Sequence, residues 1–290
     1  MQEYVLFTDS TTDLPQHFVE QLQIAVIPML FELDGKSYYN YLDHRQISPK
    51  EFYKQLRNGK NSVTSQITTH TFIENFGGFL QKGKDILYLS FSSGLSGTYQ
   101  SSQIAVQELS EQYPQRTIRV IDTLSASMGQ GLLVYLAAKM KQSGKSLTEV
   151  AEWVENNKQN ICQWFTVDDL LFLKRGGRVS NSQAIVGTML GIKPVLHVSA
   201  EGKLIPQQKV RGRKASLEAL IQRFKDTALD TKNSTVFISH GDCQQDAEYV
   251  ANQLQEKFGV QNIITHFIGP VIGSHSGPGT VAIFFLGRER

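Results

Sequence analysis

Apolar runs separated by polar, turn-forming stretches organise the first half of the chain. YVLF (residues 4–7) is the first such run, and TDSTTDLP follows it. In that loop Asp13 is positioned as a helix N-cap, with Pro15 tolerated in the first turn. IAVIPMLF (24–31) is the second run, and ISPKEFYKQLRNG reads as a short helix closed by Gly59. DILYLSF (85–91) is apolar nearly throughout, as in a strand covered on both faces. Beyond it Ser102, Ala105, Val106, Leu109 and Tyr113 recur at helical spacing. TIRVID (117–122) is a further strand, and a helix runs through GLLVYLAAKM. Strand and helix in alternation predict a parallel sheet wrapped by helices.

The second half changes rhythm. QWFTV and LLFLKRGG are strand-like pieces without room for a crossover helix between them. KPVLHVS and KLIPQQKV flank the turn residues AEG and predict a hairpin. A helix from about Lys214 to Ala228, the run TVFISHGD, another helix and two closing strands around IITHF and VAIFFLG complete the pattern. The prediction is α/β in two domains. Residues 1–160 carry a parallel sheet with flanking helices, residues 161–290 a mixed sheet with helices, and a ligand cleft lies between them. The boundary falls near 158–166, where the polar ENNKQN segment ends. No repeats or heptads are visible.

Composition narrows the function. The 290 residues are 40% hydrophobic and 10% aromatic, enough to fill ordinary cores. With 29 basic and 27 acidic residues the net charge of +2 argues against a polyanion-binding protein. Cys162 and Cys243 match neither a disulfide framework nor a metal-ligand spacing. The N-terminus shows no signal-peptide pattern, and the most apolar windows fall short of the roughly 18–20 residues of a membrane span. A soluble, cytoplasmic protein without metal or cofactor is expected.

The richest candidate chemistry is SFSSGLSGTYQSS (90–102), between a strand and a helix. Such a loop aims backbone N–H groups and the helix dipole at one point and holds an anion without a fixed cation. Gly94 and Gly97 relax the backbone, and Ser92, Ser93, Ser96 and Thr98 add hydroxyls. A serine-hydrolase elbow fails, because Gly94-Leu95-Ser96-Gly97-Thr98 lacks its last glycine. The order Ser93 or Ser96, Asp168 or Asp242, His275 keeps a lipid hydrolase as the alternative. Phosphate-loop motifs fail at Lys139 and Leu30. Thr64 and Ser65 in VTSQIT are either turn residues or a second hydroxyl cluster facing the serine loop. His275 lies in IGPVIGSHSGPG, a shaped, glycine-rich loop, and is the histidine best placed for a site; His240 is the other to watch. LKRGGRVS and KVRGRKAS concentrate charge on Arg175, Arg178, Arg211 and Arg213, read as solvated surface or as a docking face.

TDSTTDLP, TSQ (64–66), SSGLSGTYQS (92–101), RGGRVS (175–180) and GSHSGPG (273–279) stand in the order found in the DegV family, and from residue 5 to the C-terminus the chain resembles these bacterial fatty-acid-binding proteins. The resemblance implies two α/β domains with a fatty acid buried between them. It implies a carboxylate held by Thr64, Ser93 and His275, with Ser65, Ser92, Gly94 and Ser96 in support. It also implies a partner fatty acid kinase, which phosphorylates the carboxyl group for phospholipid synthesis, and the four arginines above are assigned to docking it. The chain departs from the family at Ile67, where proline is usual, and at Ser274, where threonine is common. A buried acid makes physical sense. A C16–C18 chain offers about 11–13 kcal/mol of methylene burial before association costs, and its carboxylate needs a clamp because an unpartnered buried charge is prohibitive.

Overall fold

In the computed structural model, which describes residues 3–180, 191–288 and 290, three sheets organise the chain. The first is parallel, in the order β2-β1-β6-β7: β1 (Tyr4–Asp9), β2 (Ala25–Ile27), β6 (Asp85–Ser90) and β7 (Ile118–Asp122). Successive residues of its central strands face opposite cores, as the two-residue period of a strand requires. Val5, Phe7, Ile86 and Tyr88 pack with Phe72 and Phe76 of α3 (Thr69–Leu80) and Ala105 and Leu109 of α4 (Thr98–Gln112). Tyr4, Leu6, Leu87 and Leu89 pack with α5 (Met128–Gln142) and α6 (Leu147–Asn157).

The second sheet is mixed, in the order β10-β9-β8-β13-β11-β12. Its strands are β8 (Ile161–Thr166), β9 (Ile192–Val198), β10 (Leu204–Arg211), β11 (Thr235–His240), β12 (Asn262–Phe267) and β13 (Val281–Leu286). Only β11 and β12 pair in parallel; β9 and β10 form the expected hairpin. On one face Cys162, Trp164, Ile283 and Phe285 meet α8 (Arg213–Thr227) and α9 (Gln244–Phe258). On the other, Phe165, Ala282 and Phe284 join the core around α5.

α5 therefore lies between the two large sheets. This explains why GLLVYLAA is apolar all round rather than on one stripe. Two glycines let its first turn approach both sides. A Cβ at Gly129 would overlap the Gln163 side chain on β8, and one at Gly131 would lie 2.7 Å from the Thr12 carbonyl.

Four local readings change. The run 24–31 is split by Pro28, which has no N–H for a ladder; β2 stays in the parallel sheet while β3 (Met29–Leu33) turns into a third, antiparallel sheet with β4 (Lys36–Asn40) and β5 (Ser62–Thr64). LLFLKRGG is not a strand but holds the short helix α7 (Leu171–Arg175), started by the Asp169 side chain on the Leu171 N–H and ended at Gly176. The glycine-rich segment around His275 is not an open loop: Pro270–Ser276 forms α10, with Pro270 in the first turn. Asp13 does not cap α1 (Gln16–Gln21), whose N-cap is Pro15; Asp13 sits in left-handed backbone and turns its side chain inward.

Candidate functional site

The strand ends and loops of the first half, α10 and the inner face of the mixed sheet enclose a cavity of about 210 Å³. Its wall is largely apolar, with Phe91, Leu95, Phe165, Leu173, Ile268 and Val271 among the contributors. Thr64, Ser65, Gln66, Ser96, Arg178 and His275 supply polar groups to the same wall.

Each is held by identifiable contacts. Thr64 ends β5, paired with Phe31, and its Oγ1 lies 2.7 Å from His275 Nε2. Residues about 211 apart in sequence thus meet directly. His275 rides on α10, which is fixed from three sides. Tyr53 of α2 (Pro49–Arg57) donates to the Ile268 carbonyl at 2.9 Å, the Gly269 N–H donates to Asp13 Oδ1 at 2.9 Å, and Ser274 Oγ bonds both Ser62 and the Pro270 carbonyl. Burial, with the Arg178 charge nearby, pushes His275 down to about 4, so the imidazole is neutral at pH 7. Its Nδ1 has no hydrogen-bond partner among the described residues and lies against Gly176, where a Cβ would overlap it.

The serine loop divides its labour. Ser92 is buried and structural: its Oγ donates to the Gly202 carbonyl of the β9–β10 turn and accepts from the Gly94 N–H. Gly94 is needed because a side chain there would strike the backbone of Glu201 and Gly202. Ser93 is exposed, its N–H is taken by Asp122 Oδ1 at 3.1 Å, and it is absent from the cavity wall. Ser96 is the loop serine that reaches the cavity; its Oγ meets Thr98 Oγ1 at 3.0 Å and caps the Thr98 N–H. The N–H groups of residues 92–96 and 98 are consumed by protein acceptors, so the loop is not the open ring of backbone donors that the sequence suggested. The Ile67 N–H reaches Thr98 Oγ1 at 3.3 Å, a bond that a proline at this position could not make.

The arginines separate. Arg178 is half-buried in the cavity wall rather than free on the surface; Nε and Nη2 donate to the Leu95 carbonyl and Nη1 to that of Gly176. It has no acidic partner among the described residues. Arg213 is tied to Asp246 and Asp168. Arg175 lies over the Phe172 ring, and Arg175 and Arg211 are exposed. Sequence reasoning missed Arg178 as a cavity residue because a charge cluster carries no sign of which member folds inward.

Comparison with known proteins identifies the chain. The family described as "Uncharacterised protein, DegV family" matches residues 4–288. The chain belongs to the DegV family. A DegV domain-containing protein of Clostridium perfringens is 47% identical over 290 residues, covering 100% of this chain and 99% of that one. A DegV family protein of Thermus thermophilus, whose structure concerns fatty acid binding, superposes with a TM-score of 0.89 at 32% identity, covering 99% and 100%. A fatty-acid-binding DegV family protein of Streptococcus agalactiae superposes with a TM-score of 0.87 at 29% identity over the whole of both chains. The α/β arrangement is thus that of DegV fatty-acid-binding proteins. Among the described residues no helix is long and apolar enough to cross a membrane, and no His/Cys/Asp/Glu group could hold a metal ion.

Asp13, from the TDSTTDLP motif of this DegV chain, is fully buried. Burial raises its carboxyl from 3.8 to about 7 against the opposing bonds from Ser127 and Gly269. A folded-state value above the unfolded one stabilises below about pH 4, and that contribution is lost as pH rises through about 7. The stability difference between the parent and Asp13→Asn is therefore expected to move against the parent by up to about 4 kcal/mol between pH 4 and pH 8. Urea unfolding across that range measures it, and a flat difference would rule out the shift. His275 and His266, both lowered to about 4, act oppositely in both proteins: their contribution is full above pH 6.5 and lost as pH falls through 4.

Proposed function

We propose that this chain binds a long-chain fatty acid, C16–C18, in the cavity and presents its carboxyl group to a fatty acid kinase. The observation that carries the reading is Arg178. A half-buried guanidinium without an acidic partner, in an otherwise apolar wall, calls for an anion carrying an apolar body. Thr64, His275 and Ser96 surround the same end of the demand. With the proton of the neutral imidazole on Nε2, His275 donates to Thr64, whose own hydroxyl hydrogen is then free for a carboxylate oxygen. Arg178 keeps unused N–H groups for the other. The carboxylate is thus met by hydroxyls and one cation, with Ser96 in the role that the family resemblance implied for Ser93.

Access from solvent supports presentation to a partner. A second depression of about 220 Å³, lined by Lys60, Val63 and Arg175, shares Thr64, Arg178 and His275 with the cavity. The headgroup can be reached there while the chain stays covered. Docking then falls to exposed Arg175 and Arg211, since Arg178 and Arg213 are engaged. A serine-hydrolase reading lacks support, because the imidazole in the wall bonds Thr64 rather than Ser93 or Ser96.

Mass spectrometry of the organic extract from purified, undigested protein tests the reading. About one fatty acid per chain is expected, with much less from Ser96→Ala and a parental amount from Ser93→Ala. The reverse pattern would return the clamp to Ser93. An empty extract, with no binding of added C16 or C18 acids, would sink the fatty-acid reading. In a coupled assay, charge reversal at Arg175 and Arg211 is expected to lower acyl-phosphate formation and leave the extract unchanged; lost lipid instead would place them at the cavity.

A further inference from the structure

The cavity wall holds polar groups that a carboxylate clamp leaves unused. Ser127 and Ser239 both line it, and both are almost completely buried. Ser127 Oγ bonds Asp13 Oδ2 at 2.5 Å. Ser239 Oγ lies 3.0 Å from Ser127 Oγ, and either hydroxyl can donate in that pair. That contact leaves part of the hydrogen-bonding capacity of Ser239 unused in a mostly apolar wall. Ser127 is held there against its own backbone preference, at φ 50° and ψ −143°.

Ser276 is the second feature. It is 5% exposed, contributes to the wall, and its Oγ has no hydrogen-bond partner among the described residues. It belongs to the same end of the mixed sheet as Ser239. Thr280 Oγ1 donates to the Ser276 carbonyl at 2.9 Å, the Gly241 N–H donates to the Thr280 carbonyl at 2.8 Å, and Ser239 pairs with Ala282 across the strands. Phe165, Ala282 and Phe284 line the same cavity with apolar surface.

A buried hydroxyl without a partner calls for one, and an apolar tunnel would otherwise reject any polar group on a ligand. We propose, resting on the fatty-acid reading above, that Ser239 and Ser276 form a second polar subsite that selects acyl chains bearing a hydroxyl group along the chain. A ligand hydroxyl has one donor and two acceptor positions. It bonds Ser239 Oγ and Ser276 Oγ together, donating to one and accepting from the other. Asp13 and Ser127 are positioning residues, which orient Ser239 through their hydrogen-bond chain.

The test compares stearic acid with monohydroxylated stearic acids whose hydroxyl is moved stepwise along the chain, by competitive displacement from the full-length protein. One isomer, or two neighbouring ones, is expected to bind about tenfold more tightly than stearic acid, as two net hydrogen bonds allow. Ser239→Ala and Ser276→Ala should each bring that ratio toward one. Stearic acid binding with no isomer preferred would overturn the proposal alone. So would a preference that survives both substitutions, or an equal loss of plain and hydroxylated acids, which would assign the two serines to the carboxylate clamp. A protein that binds no stearic acid would overturn the underlying reading, and the subsite with it.

Discussion

Gly176→Ala is expected to lower affinity for a C16 or C18 acid at least tenfold, although it removes no hydrogen-bonding group. The backbone at Gly176 has an ordinary negative φ, so alanine meets no conformational penalty of its own. The clash is with the His275 ring, where the new Cβ would overlap Nδ1. The ring cannot retreat freely, because Asp13, Tyr53 and Ser62 hold α10 in place. Moving it breaks the 2.7 Å contact with Thr64 and disorders the carboxylate donors together. Thr64→Val, which keeps the volume and deletes the hydroxyl, is the calibrating variant and should cost about tenfold by leaving one buried donor unmade. Titration with a fluorescent fatty acid and competitor measures both. If Gly176→Ala binds like the parent while its thermal unfolding is unchanged, the His275–Thr64 contact does not hold the headgroup.

Asp9→Ala should lower unfolding free energy by about 3–5 kcal/mol, since several buried donors lose one acceptor. That is a large part of the 5–15 kcal/mol that stabilises a typical domain. The Asp9 carboxylate is completely buried and accepts from the Thr11 N–H and hydroxyl, the Tyr88 hydroxyl at 2.8 Å, the Phe91 N–H at 3.1 Å and Gln130 Nε2 at 3.3 Å. It therefore joins β1, β6 and α5 at the point where the serine loop leaves β6. Asp9→Asn keeps one acceptor oxygen and should cost less. Urea unfolding gives the magnitude, and a loss below about 1 kcal/mol for Asp9→Ala would show that water or rearrangement replaces the acceptor. Lipid affinity should fall with stability, because Phe91 and Leu95 in the cavity wall hang from the same loop.

Both residues belong to stretches the sequence marked for other reasons. TDSTTDLP was legible as a turn, yet its two aspartates work at long range. Asp9 collects donors from β6 and α5, and Asp13 accepts the N–H of Gly269, 256 residues later, just before α10. Local capping preference pointed to α1, and the tertiary contact won because a buried carboxylate must take whatever donors surround it. Arg178 and Ser96 follow the same logic. Their neighbours in sequence, Arg175 and Ser93, have the same chemistry and end up outside the cavity. A difference of three residues on a tight loop reverses the direction of a side chain.

The sequence by itself determined the strands of the two large sheets and most helices, because burial on one or two faces imposes periodicities of 2 and 3.6 on the apolar residues. It also determined family membership and which segments carry hydroxyls and the histidine, through motifs that keep order and spacing. The tertiary structure alone decided which hydroxyl and which arginine face the cavity, that Thr64 meets His275, and that three serines remain over in the wall. Those facts depend on the packing of segments up to 256 residues apart, and no local pattern encodes the direction in which a loop side chain points.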